Sequence, residues 1–215
     1  MTTSAMTPEE SRVPLILKVA FTAFMAVLIP VYWHYYGPTN FLYFCDIAMI
    51  LTLIAIWPEN APLISTCTVG ILVPQAIWVI DFLAGLAGIS LTGMTAYMFD
   101  ADRSLFLRLL SLFHGWLPIL LVYLVWKIGY DRRAIFLATA LTWLILPICF
   151  FLMPPPNPHP GLIPVNINYV WGLSDYAAQT WLPPYVWFGG MLIGIPLVIF
   201  TPTHFALART MPKAA

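Results

Sequence analysis

The chain is 215 residues long, 61% hydrophobic and only 8% charged, against roughly 45–50% and 25% in soluble domains. Nine Lys and Arg balance nine Asp and Glu, so no basic surface is available to neutralise phosphates, and nucleic-acid binding is excluded. Cys45, Cys67 and Cys149 all lie inside apolar runs, which gives no disulfide framework and no paired spacing for a metal or redox motif; no metal or cofactor is expected.

A spanning helix needs about 20 mostly apolar residues, and runs of that kind predict six, at about 13–33, 40–57, 62–83, 104–126, 134–153 and 184–205. The first follows a polar start containing Glu9 and Glu10. It is too long for a signal-peptide core and has no small-residue cleavage site before Trp33, His34, Tyr35 and Tyr36, so it reads as a retained span. The expectation is an all-α membrane protein, one six-helix bundle with cytoplasmic N- and C-termini and no internal repeat or second domain.

Residues 82–99 carry no charge and compete for the status of a seventh span, and charge bias decides against it. With six spans the inside holds Arg12, Lys18, Lys127, Arg132, Arg133, Arg209 and Lys213, and the outside holds only Arg103 and Arg108. Seven against two fits the positive-inside rule; a seventh span would give four against five. Gly85, Gly88 and Gly93 also weaken that stretch as a helix, so it reads as an interfacial or re-entrant outer loop. The longest connection, about 154–183, is rich in Pro and then carries Asn166, Asn168, Tyr169, Trp171, Asp175 and Tyr176. Restricted backbone and interfacial aromatics make it an ordered outer lid. Gly189, Gly190 and Gly194 on the last helix suit a close helix crossing.

Depth then singles out candidate site residues. At about 1.5 Å per residue, Cys45 and Asp46 lie about 8–9 Å in from Asn40, and His114 about 15 Å in from Ser104, both measured from the outer side. Asp81 near the end of the third span shares that leaflet, and Asn168 and Tyr169 approach from the lid. Helices two, three and four and the lid thus deliver polar groups to one depth, as a wet pocket opening outward requires. Cys45 alone reads as a small hydrophobe, and His114 alone as a packing histidine. Asp46 and Asp81 exclude lipid exposure, because a carboxylate there costs several kcal/mol unless it is paired, hydrated or protonated. His34, His159 and His204 sit at run ends or in loops and carry no weight.

The segments LYFCDIAMI on helix two, LFHGWLP on helix four, and NYVWGL followed by QTWLPPYVWFGG resemble the YwaF-like family of six-helix bacterial integral membrane proteins. That family is similar to an animal six-helix transmembrane acyltransferase and, more distantly, to intramembrane threonine hydrolases of fatty-acid esters. The resemblance implies a bacterial inner-membrane location, Cys45 as nucleophile, His114 as its general base, and Asn168 and Tyr169 shaping the pocket. An Asp directly after the Cys departs from the acyltransferase pattern. The chemistry is coherent, since a thiol needs an imidazole to become a thiolate, and Asp46 is placed to orient the ring or hold a substrate hydroxyl.

The expected function is therefore a lipid acyl-ester hydrolase or acyltransferase with Cys45 and His114 as catalytic pair and Asn40, Asp46, Asp81, Asn168 and Tyr169 binding substrate. The alternative is a non-enzymatic binder of lipid or another hydrophobic ligand, or an accessory subunit of a membrane assembly. Membrane lipids and other membrane proteins are the expected partners. Proton or solute transport through Asp46, Asp81 and His114 lacks matching groups in the inner half. Rossmann, P-loop, haem-attachment, zinc-protease and Gly-x-Ser-x-Gly patterns are absent from the sequence.

Overall fold

A computed structural model describes residues 11–214; Glu9 and Glu10 of the polar start lie outside them. The described residues are helical, with one isolated bridge between Tyr130 and Lys213 as the only strand-like pairing among them. Eight helices follow in order: α1 (Leu15–Tyr36), α2 (Phe44–Ile56), α3 (Ala61–Leu86), α4 (Leu105–Leu110), α5 (Phe113–Ile128), α6 (Ala134–Leu152), α7 (Pro184–Gly194) and α8 (Thr201–Thr210). Joining α4 with α5 and α7 with α8 leaves five apolar units long enough to cross a membrane, and α2 is a shorter apolar helix beside them.

The second predicted span, 40–57, is divided. Residues Pro38–Leu42 form a 3-10 turn, Tyr43 is extended at φ −63° and ψ 137°, and α2 starts afresh at Phe44. The cause is remote in sequence: the Phe44 N–H donates to Asn168 Oδ1 at 3.1 Å, which satisfies one of the orphan donors of a helix start. The thirteen residues of α2 rise about 20 Å, against a hydrocarbon core of about 30 Å.

The predicted 104–126 span also breaks. At Ser111 the backbone tightens into bonds three residues apart, with Leu112 N on Leu109 O, His114 N on Ser111 O and Gly115 N on Leu112 O at 2.9–3.2 Å. The last span runs past its predicted end, from Pro184 to Thr210, through a π-helical stretch at Ile195–Phe200. Pro196 has no N–H to offer, and the Leu192 carbonyl four residues earlier instead accepts from Trp143 Nε1 at 2.8 Å. Residues 87–95 form a loop, exposed over 87–93 and turned inward at Thr95, followed by a 3-10 turn at Ala96–Met98, with no helix crossing there.

α3 is the central element, packing on α5, α2 and α6, and it is the most buried of the spans. At one end of the bundle Arg12, Lys18 and Lys213 come together, and both ends of the described residues are tied down. Glu59, in the loop between α2 and α3, accepts from Ser11 Oγ at 2.6 Å, Arg12 N at 3.0 Å, Val13 N at 3.1 Å and Lys18 Nζ at 2.9 Å. Burial would raise this carboxyl, but the bonds from Ser11, Lys18 and the two backbone N–H groups bring it down to about 2. The C-terminal segment docks alongside, with Tyr130 N donating to Pro212 O and Ala214 N to Tyr130 O. Gly129, at φ +102°, has no room for a side chain because Ala214 backbone atoms would lie 2.6 Å from its Cβ.

Candidate functional site

The opposite end of the bundle holds most of the residues expected in a pocket. Asn40 in the 3-10 turn donates from Nδ2 to Asp46 Oδ2 at 3.0 Å, and the Cys45 thiol lies 3.9 Å from the same oxygen. Asp46 is only 3% exposed, and its second oxygen, Oδ1, is buried with no hydrogen-bond partner. A half-satisfied buried carboxylate is costly. Such a group in a membrane protein is a site candidate by default.

His114 is built by the break between α4 and α5. Its Nδ1 lies 2.7 Å from the Ser111 carbonyl, and a carbonyl only accepts, so Nδ1 carries the proton and the lone pair of a neutral ring resides on Nε2. The ring is stacked on Trp78 at 4.7 Å and on Phe113 at 4.1 Å, which fixes its plane. Ser111 Oγ donates to Leu107 O at 3.1 Å and therefore accepts from Tyr32 at 2.9 Å. Tyr32 in turn is within electrostatic reach of Asp46 and Tyr97.

Cys45 and His114 do not hydrogen-bond to each other: the thiol faces Asp46, and the imidazole faces Ser111. Tyr97, from the turn after the 87–95 loop, links them. It contacts Trp78 and Ser111 on the His114 side and is within electrostatic reach of Cys45 and Tyr169 on the other. Both Cys45 and His114 are partly exposed within the protein, so neither is sealed into the core.

The other predicted site residues fall into two kinds. Asp81 is spoken for: it accepts from Thr92 N at 2.7 Å, Thr95 N at 2.9 Å and Thr95 Oγ1 at 2.5 Å, tying the following loop to the end of α3. Asn168 is equally occupied, donating from Nδ2 to Leu42 O at 2.8 Å and to Cys149 Sγ at 3.4 Å while capping α2. Tyr169 keeps a half-buried side chain, and its carbonyl accepts from Trp187 Nε1 at 3.0 Å. Asn166, Asn168 and Tyr169 all have φ between +48° and +61°, a left-handed backbone that non-glycine residues hold only when surroundings enforce it. Here Asn166 enforces it by donating to the Gly172 and Ser174 carbonyls and accepting from Trp171 N.

Tyr32, Trp78, Tyr97, Arg103, Ser111 and Asp175 also belong to this end and were not singled out by depth alone. Arg103 was visible as one of the two outer cations. The Asp175 carboxyl is pushed up to about 6 by burial, against the opposing pull of Arg103 and Asn166. A separate, apolar cleft of about 20 Å³ lies between α2, α3 and α6, beside Leu51, Cys67, Gly70 and Thr142. Its size suits one water-sized group. The chain matches no protein-family model, no curated protein and no solved structure.

Proposed function

We propose that the chain is a six-span integral membrane protein with cytoplasmic termini, α2 and its preceding turn forming the sixth span, and that it turns over acyl esters of lipids in the outer leaflet. The seven cations at one end and two at the other support that orientation. The observation that carries the catalytic reading is the bond from His114 Nδ1 to the Ser111 carbonyl, which leaves Nε2 as a base held by a stacked, partly exposed ring. The likeness of its Cys, His-Gly and Asn-Tyr segments to the YwaF-like family points the same way.

In this reading Cys45 passes its proton to His114 Nε2, and the thiolate attacks the ester carbonyl. The lipid alkoxide then leaves with the imidazolium proton, and a thioester remains on Cys45. Water or an acceptor hydroxyl, deprotonated by the same Nε2, attacks that thioester and returns the free thiol. The thiol must swing from Asp46 toward the ring when substrate binds, a tightening common between free and substrate-bound enzymes. Cys45→Ala and His114→Ala, assayed for turnover of acyl-ester lipids, test this; full activity in both variants removes the assignment.

The second reading is a non-enzymatic binder of a hydrophobic ligand. It is favoured by one specific observation, the engagement of the Cys45 thiol by Asp46 rather than by an imidazole. Failure of Cys45 to react with thiol-directed activity probes, together with a hydrophobic ligand that co-purifies at one per chain, supports this reading over the first.

A further inference from the structure

Arg103, two residues before α4, is held by two aromatic faces. Its guanidinium carbon lies 5.7 Å from the Tyr36 ring centroid and 5.2 Å from that of Tyr97, positions at which the ring quadrupole attracts a cation. Tyr36 ends α1 and is within electrostatic reach of Asp46, and Tyr97 is within electrostatic reach of Cys45 and beside Trp78 and Ser111, the two residues that hold the His114 ring. Its Nε is buried and has no acceptor. Asp175 is within electrostatic reach of Arg103, yet the two do not form a close ion pair of the kind seen at Lys18–Glu59 and Arg133–Asp131. A guanidinium offers five donors in a planar fork that matches two oxygens of one phosphate. Here the fork is pre-positioned, and its Nε is short of an acceptor.

We propose that Arg103 binds the phosphodiester of a phospholipid headgroup and so selects the substrate of the outer-leaflet site. The assignment rests on that site acting on lipid esters, and it names their class. With the phosphate on Arg103, the glycerol ester carbonyls of the same lipid hang toward Cys45, and the acyl tails remain in the bilayer. Tyr36 and Tyr97 hold the cation in place, the Tyr36 hydroxyl accepting one of its bonds, and the phosphate supplies the acceptor that Nε lacks.

The test uses the full chain in nanodiscs, with phosphatidylglycerol and diacylglycerol of identical acyl composition offered in parallel. Arg103→Gln lowers the ratio of phosphatidylglycerol to diacylglycerol turnover by roughly 10- to 100-fold, the scale of a lost charge-assisted contact, and Arg103→Lys restores part of it. An unchanged ratio in Arg103→Gln overturns the proposal. Native mass spectrometry gives a readout independent of catalysis: wild type retains phosphatidylglycerol over diacylglycerol and Arg103→Gln does not. If wild type turns over neither lipid but shows this retention, the catalytic reading fails and the headgroup site stands. Equal retention by wild type and variant overturns the site.

Discussion

Asn168 and Phe44 are 124 residues apart in sequence, yet the Asn168 side chain caps the helix that begins at Phe44 and at the same time grips the Leu42 carbonyl. The long connection between α6 and α7 and the start of α2 are thereby one unit, and the position of Cys45 depends on a residue in that connection. Asn168→Ala removes the cap and leaves a left-handed backbone without its support. Loss of an N-cap costs about 1 kcal/mol and strain of this kind about 1–3 kcal/mol. We expect a lower melting temperature in detergent and faster alkylation of Cys45; an unaltered alkylation rate would uncouple the lid from α2.

At the other end, Glu59 fastens the chain before α1 to the turn between α2 and α3. Glu59→Gln removes the charged partner of Lys18, whose ammonium then keeps the Trp57 carbonyl at 3.2 Å, and is expected to cost about 1.5–3 kcal/mol, the scale of a hydrogen bond to a charged group. Thermal unfolding of the purified variant measures this directly.

The same carboxyl sets a pH dependence. Its folded value of about 2 lies below the roughly 4.3 of an unfolded Glu, so its stabilisation is present above pH 4.3 and is lost as pH falls toward 2. Asp175 has the opposite sign. Its folded value of about 6 exceeds the roughly 3.9 of an unfolded Asp, so the unfolded state binds fewer protons between those values and stability declines as pH rises from about 4 to 6. Asp175→Asn should flatten the upper window and leave the lower one, as read from unfolding midpoints across pH 3–7.

Asp81→Ala releases three hydrogen bonds that hold residues 92 and 95 to α3. Each is worth about 0.5–1.5 kcal/mol. Limited proteolysis is expected to cut the 87–95 loop several-fold faster in this variant, and the Met98–Arg108 contact that follows it should loosen as well.

Much of the bundle was legible in the sequence because apolar run length and charge bias are one-dimensional signals. They placed α1, α3 and α6 and denied 82–99 a helix of its own. The breaks at Tyr43 and Ser111 were not legible. The first depends on an acceptor supplied by Asn168 from across the molecule, and the second on backbone bonds hidden in an unbroken apolar run. Asn40, Cys45 and Asp46, which depth groups, do touch one another, since they lie six residues apart or fewer. Asp81 shares their depth but not their contacts, because depth is blind to azimuth: its carboxylate turns toward the loop that follows α3. Tyr97 and Ser111 carry no charge, so nothing in the sequence marked them as the residues between Cys45 and His114.

The central claim is that Cys45 and His114 form a working thiol–imidazole pair despite facing different partners in the resting protein. The most direct measurement is intact-mass analysis of the chain after brief incubation with an acyl-ester lipid. The expected result is an acyl adduct on Cys45 that is released by hydroxylamine, absent in Cys45→Ala and reduced at least about 100-fold in His114→Gln, the usual contribution of a general base. No adduct on Cys45, or one that forms equally fast in His114→Gln, would contradict it.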